Sequence, residues 1–285
     1  MYGTPPTPYP RRIVCLSAET VEIAFALGAG DRVVGVSGAA TRPPESRQRP
    51  RVGGFTTFRL EKILALEPDL VLAFSDLQAD VSRELIRAGI PVLALNQRSL
   101  SGVYQAILVV GGALGLEAAA RDLVADMQDE IRQVREFSSV WPDRPRVYFE
   151  EWDDPLIAGI RWVSELIEVA GGVDAFAELR DRHDAPGRVV DPAEVVRRDP
   201  QIIVASWCGR RVDLEAIRRR PGWDRTAAVR AGRVHALPSA DILAPGPSLL
   251  RGLRGLHDIV QAYVTGTPPA TSTSISHDIG EVTDN

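Results

Sequence analysis

One helix–strand unit occurs twice in this chain. Leu60–Ala73 reads Leu-Glu-Lys-Ile-Leu-Ala-Leu-Glu-Pro-Asp-Leu-Val-Leu-Ala, and Pro192–Ala205 reads Pro-Ala-Glu-Val-Val-Arg-Arg-Asp-Pro-Gln-Ile-Ile-Val-Ala. Each copy predicts a short helix, a stop at an acidic residue followed by proline, and a strand of apolar residues covered on both faces. Two copies in one chain imply two α/β lobes related by pseudo-symmetry. Such an architecture holds its ligand between the lobes, at the carboxyl ends of the strands.

The rest of the pattern agrees with that division. Apolar runs predict strands at 13–16, 33–36, 70–74 and 92–95, and helical spacing alternates with them at 20–27, 60–66 and 81–88. Gly28 and Gly30 stop the first helix. Ser101 is placed to cap a segment reaching Leu114, and Gly115 breaks it. From Glu117 to about Phe137, Leu123, Met127, Ile131 and Val134 form one apolar stripe. A helix of that length far exceeds a βα crossover and predicts a strut between two halves. The pattern then restarts, with strands at 146–149, 202–205 and 234–237 and helices at 162–170 and 248–264. The predicted units are residues 11–98, a helical linker over 99–140, a second lobe over 141–265, and a disordered Thr/Ser/Pro-rich tail over 266–285.

Composition excludes several classes. The 285 residues are 45% hydrophobic and 25% charged with net charge -5, which suits a soluble globular chain and gives no global field for nucleic acid or anionic lipid. Lys62 is the single lysine among 33 basic residues. Cys15 and Cys208 cannot build a disulfide framework and read as reduced core thiols. The amino terminus lacks the basic start, apolar run and small-residue cleavage site of a secretory signal. As written, the chain is expected in the cytoplasm, or in the periplasm or at the cell surface if the true start lies upstream. No Gly-x-Ser-x-Gly elbow, phosphate loop, GxGxxG fingerprint or paired histidine is present, so an enzyme on this fold is the minor reading and a monomeric binding protein the major one.

Several segments together resemble the periplasmic binding proteins for cobalamin and iron-siderophores. They are Arg12–Gly28, Asp31–Val36, Val52-Gly53-Gly54-Phe55, the Leu60–Asp69 unit, and Trp162–Leu166 before Gly171-Gly172. The resemblance covers about 11–265 and is nearest the cobalamin-binding branch. It implies two Rossmann-like lobes bridged by one long helix, with a corrinoid as ligand rather than a resident cofactor. Iron-siderophore or haem binding is the alternative.

A flat amphiphilic corrin suits aromatic faces and a few hydrogen-bonding groups. Phe55 stands where the cobalamin-binding relatives present a tryptophan, followed by Thr56. Trp152 and Trp207 follow predicted strands of the second lobe and are expected to face the cleft, with Phe55 and Trp207 opposed across it. Trp162 and Trp223 are expected to fill core. Ser17, Ala18, Glu19 and Thr20 join the first strand to its helix, whose free N–H groups can bind a carboxamide oxygen; Ser17 or Thr20 as a plain cap reads identically. Asp241, Pro245 and Gly246 precede the last helix and either aim at the cleft or merely enter the helix. Glu150-Glu151-Trp152-Asp153-Asp154 is expected to form an acidic cleft rim rather than a metal site, because alternate strand residues diverge. That rim disfavours catecholate siderophores. His183 and His235 are candidates for an axial cobalt ligand.

The resemblance also implies a permease partner, docked through one glutamate per lobe. Glu61 matches in the first lobe. Counting back seven from Pro200 lands on Ala193, with Glu194 one residue, about 100°, around the helix. Docking to an ABC permease is therefore doubtful on this count.

Overall fold

The computed structural model describes residues 8–267. Its first half runs β1 (Ile13–Cys15), α1 (Ala18–Ala26), β2 (Val33–Val36), α2 (Leu60–Leu64), β3 (Leu70–Phe74), α3 (Ala79–Arg87) and β4 (Val92–Leu95). Helices α4 (Leu100–Leu114) and α5 (Glu117–Ser139) follow. The second half runs β5 (Arg146–Asp153), β6 (Leu156–Ala158), α6 (Arg161–Val169), β7 (Val173–Asp174), α7 (Pro192–Arg198) and β8 (Ile202–Ala205). It closes with α8 (Leu214–Arg218), α9 (Ala227–Arg230), β9 (Val234–Ala236), α10 (Ser239–Ile242) and α11 (Leu249–Thr265).

The strands form two separate sheets. The first is parallel throughout, in the order β2-β1-β3-β4. In the second, β5 pairs in parallel with β8, and β8 with β9. The other edge of β5 is shared: β7 pairs in parallel with its start, and β6 antiparallel with its end. Omitting the β6 hairpin, the order β7-β5-β8-β9 repeats that of the first sheet. These are two Rossmann-like lobes, and the 23-residue α5 bridges them.

The repetition extends to single atoms. Before β1, the Arg12 guanidinium donates to the carbonyls of Leu66 (Nη2, 2.6 Å) and Glu67 (Nε, 3.0 Å). At the start of β5, Arg146 donates to those of Arg198 (Nε, 3.1 Å) and Asp199 (Nη2, 2.9 Å). Glu67 and Asp199 both sit in the left-handed region, at φ 44° and 45°, and each precedes the proline that ends the repeated helix. The arginine closes the strained turn in each lobe by taking up its carbonyls. Gly28 (φ 84°) and Gly171 (φ 92°) likewise end α1 and α6, where a side chain would be strained.

Alternation along the strands sorts the core. Ile13, Cys15, Leu70, Leu72, Val147, Phe149, Ile202 and Val204 face a shared layer containing α1, α4, α5, α6 and α11. Val14, Leu16, Val71 and Ala73 pack outward under α2 and α3, and Tyr148, Ile203 and Ala205 under the outer elements of the second lobe. Trp162 and Trp223 are buried, as their positions led one to expect; the Trp162 indole N–H donates to the Ile242 carbonyl at 2.9 Å. Ser99, not Ser101, caps α4 by accepting from the Gly102 N–H, so the helix begins at Leu100. The β6 hairpin, β7, α8, α9 and α10 have no counterpart in the sequence reading. The tail expected over 266–285 lies outside the described residues from 268 onward.

Candidate functional site

The carboxyl ends of the two sheets are brought together by the segment after β9. Asp241 forms an ion pair with Arg42 of the first lobe. The Pro245 carbonyl accepts from Gln97 Nε2 at 3.0 Å, and Glu22 Oε2 accepts from the Ser248 N–H at 3.2 Å. Gly246 lies against Glu19, where a Cβ would come within 3.0 Å of the Glu19 Cβ. Asp241, Pro245 and Gly246 thus form a clasp across the seam, and Gly246 is the residue type that allows the close approach.

Ser17 and Thr20 are buried and hydrogen-bonded to each other. The Ser17 N–H donates to Thr20 Oγ1 at 3.3 Å, and the two hydroxyls lie 3.1 Å apart. They form a capping box at the start of α1, the plain cap that was the alternative to ligand binding at this turn. Ala18 is half-buried beside them. Glu19 differs: it is 2% exposed and its Oε1 has no partner among the described residues. Burial, opposed in part by a hydrogen bond from Ser17, pushes its carboxyl up to about 7.

Each lobe carries aromatic faces beneath an arginine at its strand ends. In the first, Phe55 is half-buried with its ring 6.4 Å from Phe74, and the Arg98 guanidinium lies 5.5 Å from the Phe74 ring. Thr56 beside it is exposed. In the second, Arg210 stands 5.1 Å from the Trp152 ring and 5.5 Å from that of Trp207. Trp152 is half-buried and anchored by its indole N–H on the Asp154 carbonyl at 3.0 Å. Trp207 does not face the opposite lobe as expected. Following Ile203 and Ala205 on the outward side of β8, it is 3% exposed and donates its indole N–H to Glu150 at 3.1 Å.

The acidic run is not an acidic rim. Glu150, fully buried, is bound by the Arg220 guanidinium, which also stacks on Trp223. Glu151 is held in two-pronged fashion by the buried Arg188 at 2.6 and 3.0 Å, and Asp153 pairs with Arg210 at 3.0 Å. Three of the four carboxylates therefore each carry an arginine, and the charge argument against an anionic ligand lapses. Cys208 also departs from expectation: it is exposed at the end of β8, whereas Cys15 is buried with its thiol pushed up to about 12 by desolvation. His183 lies in an exposed loop and His235 within β9, where burial and Arg218 lower its affinity for a proton. Neither stands in the loops at the strand ends.

Some of the buried polar atoms that lack a partner among the described residues lie in the segments at the strand ends: Glu19 Oε1, Gln97 Oε1, Arg98 Nε, Ser206 Oγ and Ser248 Oγ. Buried polar atoms are normally satisfied, so these five mark unmet hydrogen-bonding capacity there. Gln97, Arg98, Arg210 and Ser248 were absent from the sequence reading. The signal for Gln97, Arg98 and Arg210 is their position within five residues after a strand, and for Ser248 its place at the entry of the last helix.

Residues 13–240 match the Periplasmic binding protein family. The chain belongs to that family. It is 32% identical over 262 residues to the ABC transporter substrate-binding lipoprotein YvrC of Bacillus subtilis, covering 88% of this chain and 80% of that protein. A cobalamin-binding protein of Halobacterium salinarum is 29% identical, with 85% and 67% covered. Among solved structures, the periplasmic heme-binding protein RhuT of Roseiflexus matches with TM-score 0.76 and 28% identity over 90% of this chain and 99% of that one. The vitamin B12-binding protein BtuF of Vibrio cholerae shares the fold, with TM-score 0.72 and 24% identity over 88% and 97%. The Bacillus relative is a lipoprotein by name and the Roseiflexus and Vibrio structures are periplasmic by name, which lends no support to the cytoplasmic placement expected from the sequence. Among the described residues of this member, no helix is long and apolar enough to cross a membrane.

Proposed function

We propose that this protein is a non-enzymatic, monomeric receptor that holds cobalamin or a related corrinoid between its lobes for an ABC importer, outside the cytoplasm. The observation that supports the reading is the combination of unpartnered polar atoms at the strand ends with the rings of Phe55 and Phe74 in the first lobe and of Trp152 in the second. A corrin's edge of carboxamides meets such atoms, and its apolar faces meet the rings. Haem iron is commonly held by His, Tyr, Met or Cys; of these, the segments 37–58, 75–78, 96–99, 150–155, 206–213 and 237–248 at the strand ends offer only Cys208, whereas cobalamin carries a base of its own on the lower face.

Haem is the second reading, favoured by the likeness to the Roseiflexus protein. Incubation with cyanocobalamin, haemin and a ferric siderophore, followed by desalting, separates the readings. Retained cyanocobalamin at one equivalent is expected; retained haem without corrinoid overturns the proposal in favour of the second reading.

Delivery requires a permease, and here the lobes are unequal. Glu61 on α2 is exposed and makes no ion pair among the described residues. Glu194 on α7 is occupied by Arg197 (2.6 Å) and Arg198 (2.7 Å), which hold its carboxyl down at about 2. Docking through a symmetric pair of carboxylates would accordingly be weak, and Ala193→Glu is expected to strengthen it.

A further inference from the structure

We propose that the groove between α4, α5 and α6 is a second binding site, for a small organic anion carrying at least two phosphate or carboxylate groups. It lies apart from the cleft, and the inference does not depend on the corrinoid reading.

The groove has a volume of about 760 Å³, within the usual range of small-molecule sites. None of its lining residues belongs to the segments at the strand ends. Leu100 of α4 and Ile131 of α5 are buried beneath it and give it an apolar floor. One wall is the face of α5 that bears Gln128, Arg132, Arg135 and Ser139, spaced four, three and four residues apart. Helix α4 adds Tyr104, α6 adds Glu165 and Glu168, and the segment before β5 adds Arg144.

The pairing of these charges decides what the groove can hold. Both carboxylates are already taken up. Glu165 accepts from Arg161 Nε at 2.9 Å and from the Leu100 N–H at 2.7 Å, and Glu168 accepts from Arg180 at 3.1 Å. Arg132 pairs along its own helix with Asp129 at 2.8 Å. The other two arginines have no carboxylate partner among the described residues. Arg144 donates to the Gly172 carbonyl at 2.8 Å, and Arg135 is exposed with no ion pair or side-chain hydrogen bond among those residues. The half-buried Tyr104 hydroxyl is likewise without a hydrogen-bond partner among them. Burial raises its phenol above the ordinary value, partly opposed by Arg135, so it remains a donor at neutral pH.

The groove therefore offers two guanidiniums and a phenol with no uncommitted carboxylate to compete for them. Guanidinium forks match the oxygens of phosphate and carboxylate, and two forks in one groove favour a ligand with two anionic groups. Because α4 follows β4 of the first lobe and α6 follows β6 of the second, such a ligand would touch both lobes at once.

The test is calorimetric titration of the full chain, at pH 7 and low ionic strength, with pyrophosphate and in parallel with citrate. One saturable site is expected for at least one of them, and the tighter of the two tells phosphate from carboxylate chemistry. Arg135→Gln, which removes no contact within the fold, should weaken binding at least about fivefold, and Arg144→Gln by a similar factor. Tyr104→Phe should weaken it about threefold. Arg121→Gln, exposed on the same helix outside the groove, should leave it unchanged. Heats that do not saturate with either anion overturn the inference. So does binding that survives Arg135→Gln combined with Arg144→Gln, or an equal loss in Arg121→Gln.

Discussion

The two lobes share a base and differ at the top. Strand order, the Arg12 and Arg146 clamps and the left-handed turns at Glu67 and Asp199 coincide. At the carboxyl end of the central strand the copies part. Aligning Arg12 with Arg146 places Leu16 opposite Glu150: both are fully buried and both point to the outer side of their sheets. One lobe fills that position with a leucine, the other with a carboxylate that needs Arg220 and the Trp207 indole to satisfy it. The second lobe also adds the β6 hairpin beside this point. Repetition thus preserves what closes the base of each sheet, and divergence collects at the carboxyl ends of the central strands.

The largest expected effect comes from forcing the second lobe to imitate the first. Glu150→Leu strands the Arg220 guanidinium in a largely buried position and should cost about 3–5 kcal/mol in urea unfolding. Glu150→Leu with Arg220→Leu should recover most of that, because a buried ion pair is often replaceable by apolar residues. If the double variant is as unstable as the single one, the Trp207 indole rather than Arg220 is the group that depends on Glu150.

Next is the pH dependence of the seam. Between the ordinary carboxyl value of 4.5 and about 7 the folded chain keeps a proton on Glu19 that the unfolded chain has released. Stability from this group therefore falls as pH rises through that window, by about 3 kcal/mol in all, and is flat on either side. Burial raises Glu22, Glu150 and Asp174 in the same direction, so the wild-type slope alone does not isolate Glu19. The difference between wild type and Glu19→Gln does, and parallel curves would disprove it.

Smaller effects compare the two ring surfaces. Trp152→Ala and Phe55→Ala should each weaken corrinoid binding by about 1–3 kcal/mol, or roughly 5–150-fold, measured calorimetrically. Loss confined to one of them would mean that a single lobe holds the ligand. The smallest test addresses the base. Arg12→Ala and Arg146→Ala remove equivalent exposed hydrogen bonds and should each cost about 1 kcal/mol. Unequal costs would break the equivalence of the clamps.

The base was legible in the sequence because it is local. The Pro68 and Pro200 stops, the apolar runs and the long stripe of α5 are each set by neighbours within a turn or a strand. The top was not. Glu150 and Arg220 lie 70 residues apart, and Arg42 and Asp241 199 apart. A carboxylate read without its arginine looks like surface charge, and Glu150–Asp154 therefore reads as an acidic rim in the sequence alone. Trp207 misled for another reason. Its place after β8 is right for the cleft, but outward parity persists two residues beyond the strand and carries the ring to the far side. The β6 hairpin escaped because its three residues are too short for periodicity to register.

The shared layer of α1, α4, α5, α6 and α11 has a consequence for how the molecule comes apart. The apolar cluster containing Ile13 and Leu72 is the same cluster that contains Phe149 and Val204. Neither sheet can therefore lose its inner face without exposing that of its neighbour. Heat or denaturant should melt the chain in a single cooperative step, with calorimetric and van't Hoff enthalpies in agreement. Either half expressed alone would be left with a wet apolar wall and should collect in inclusion bodies.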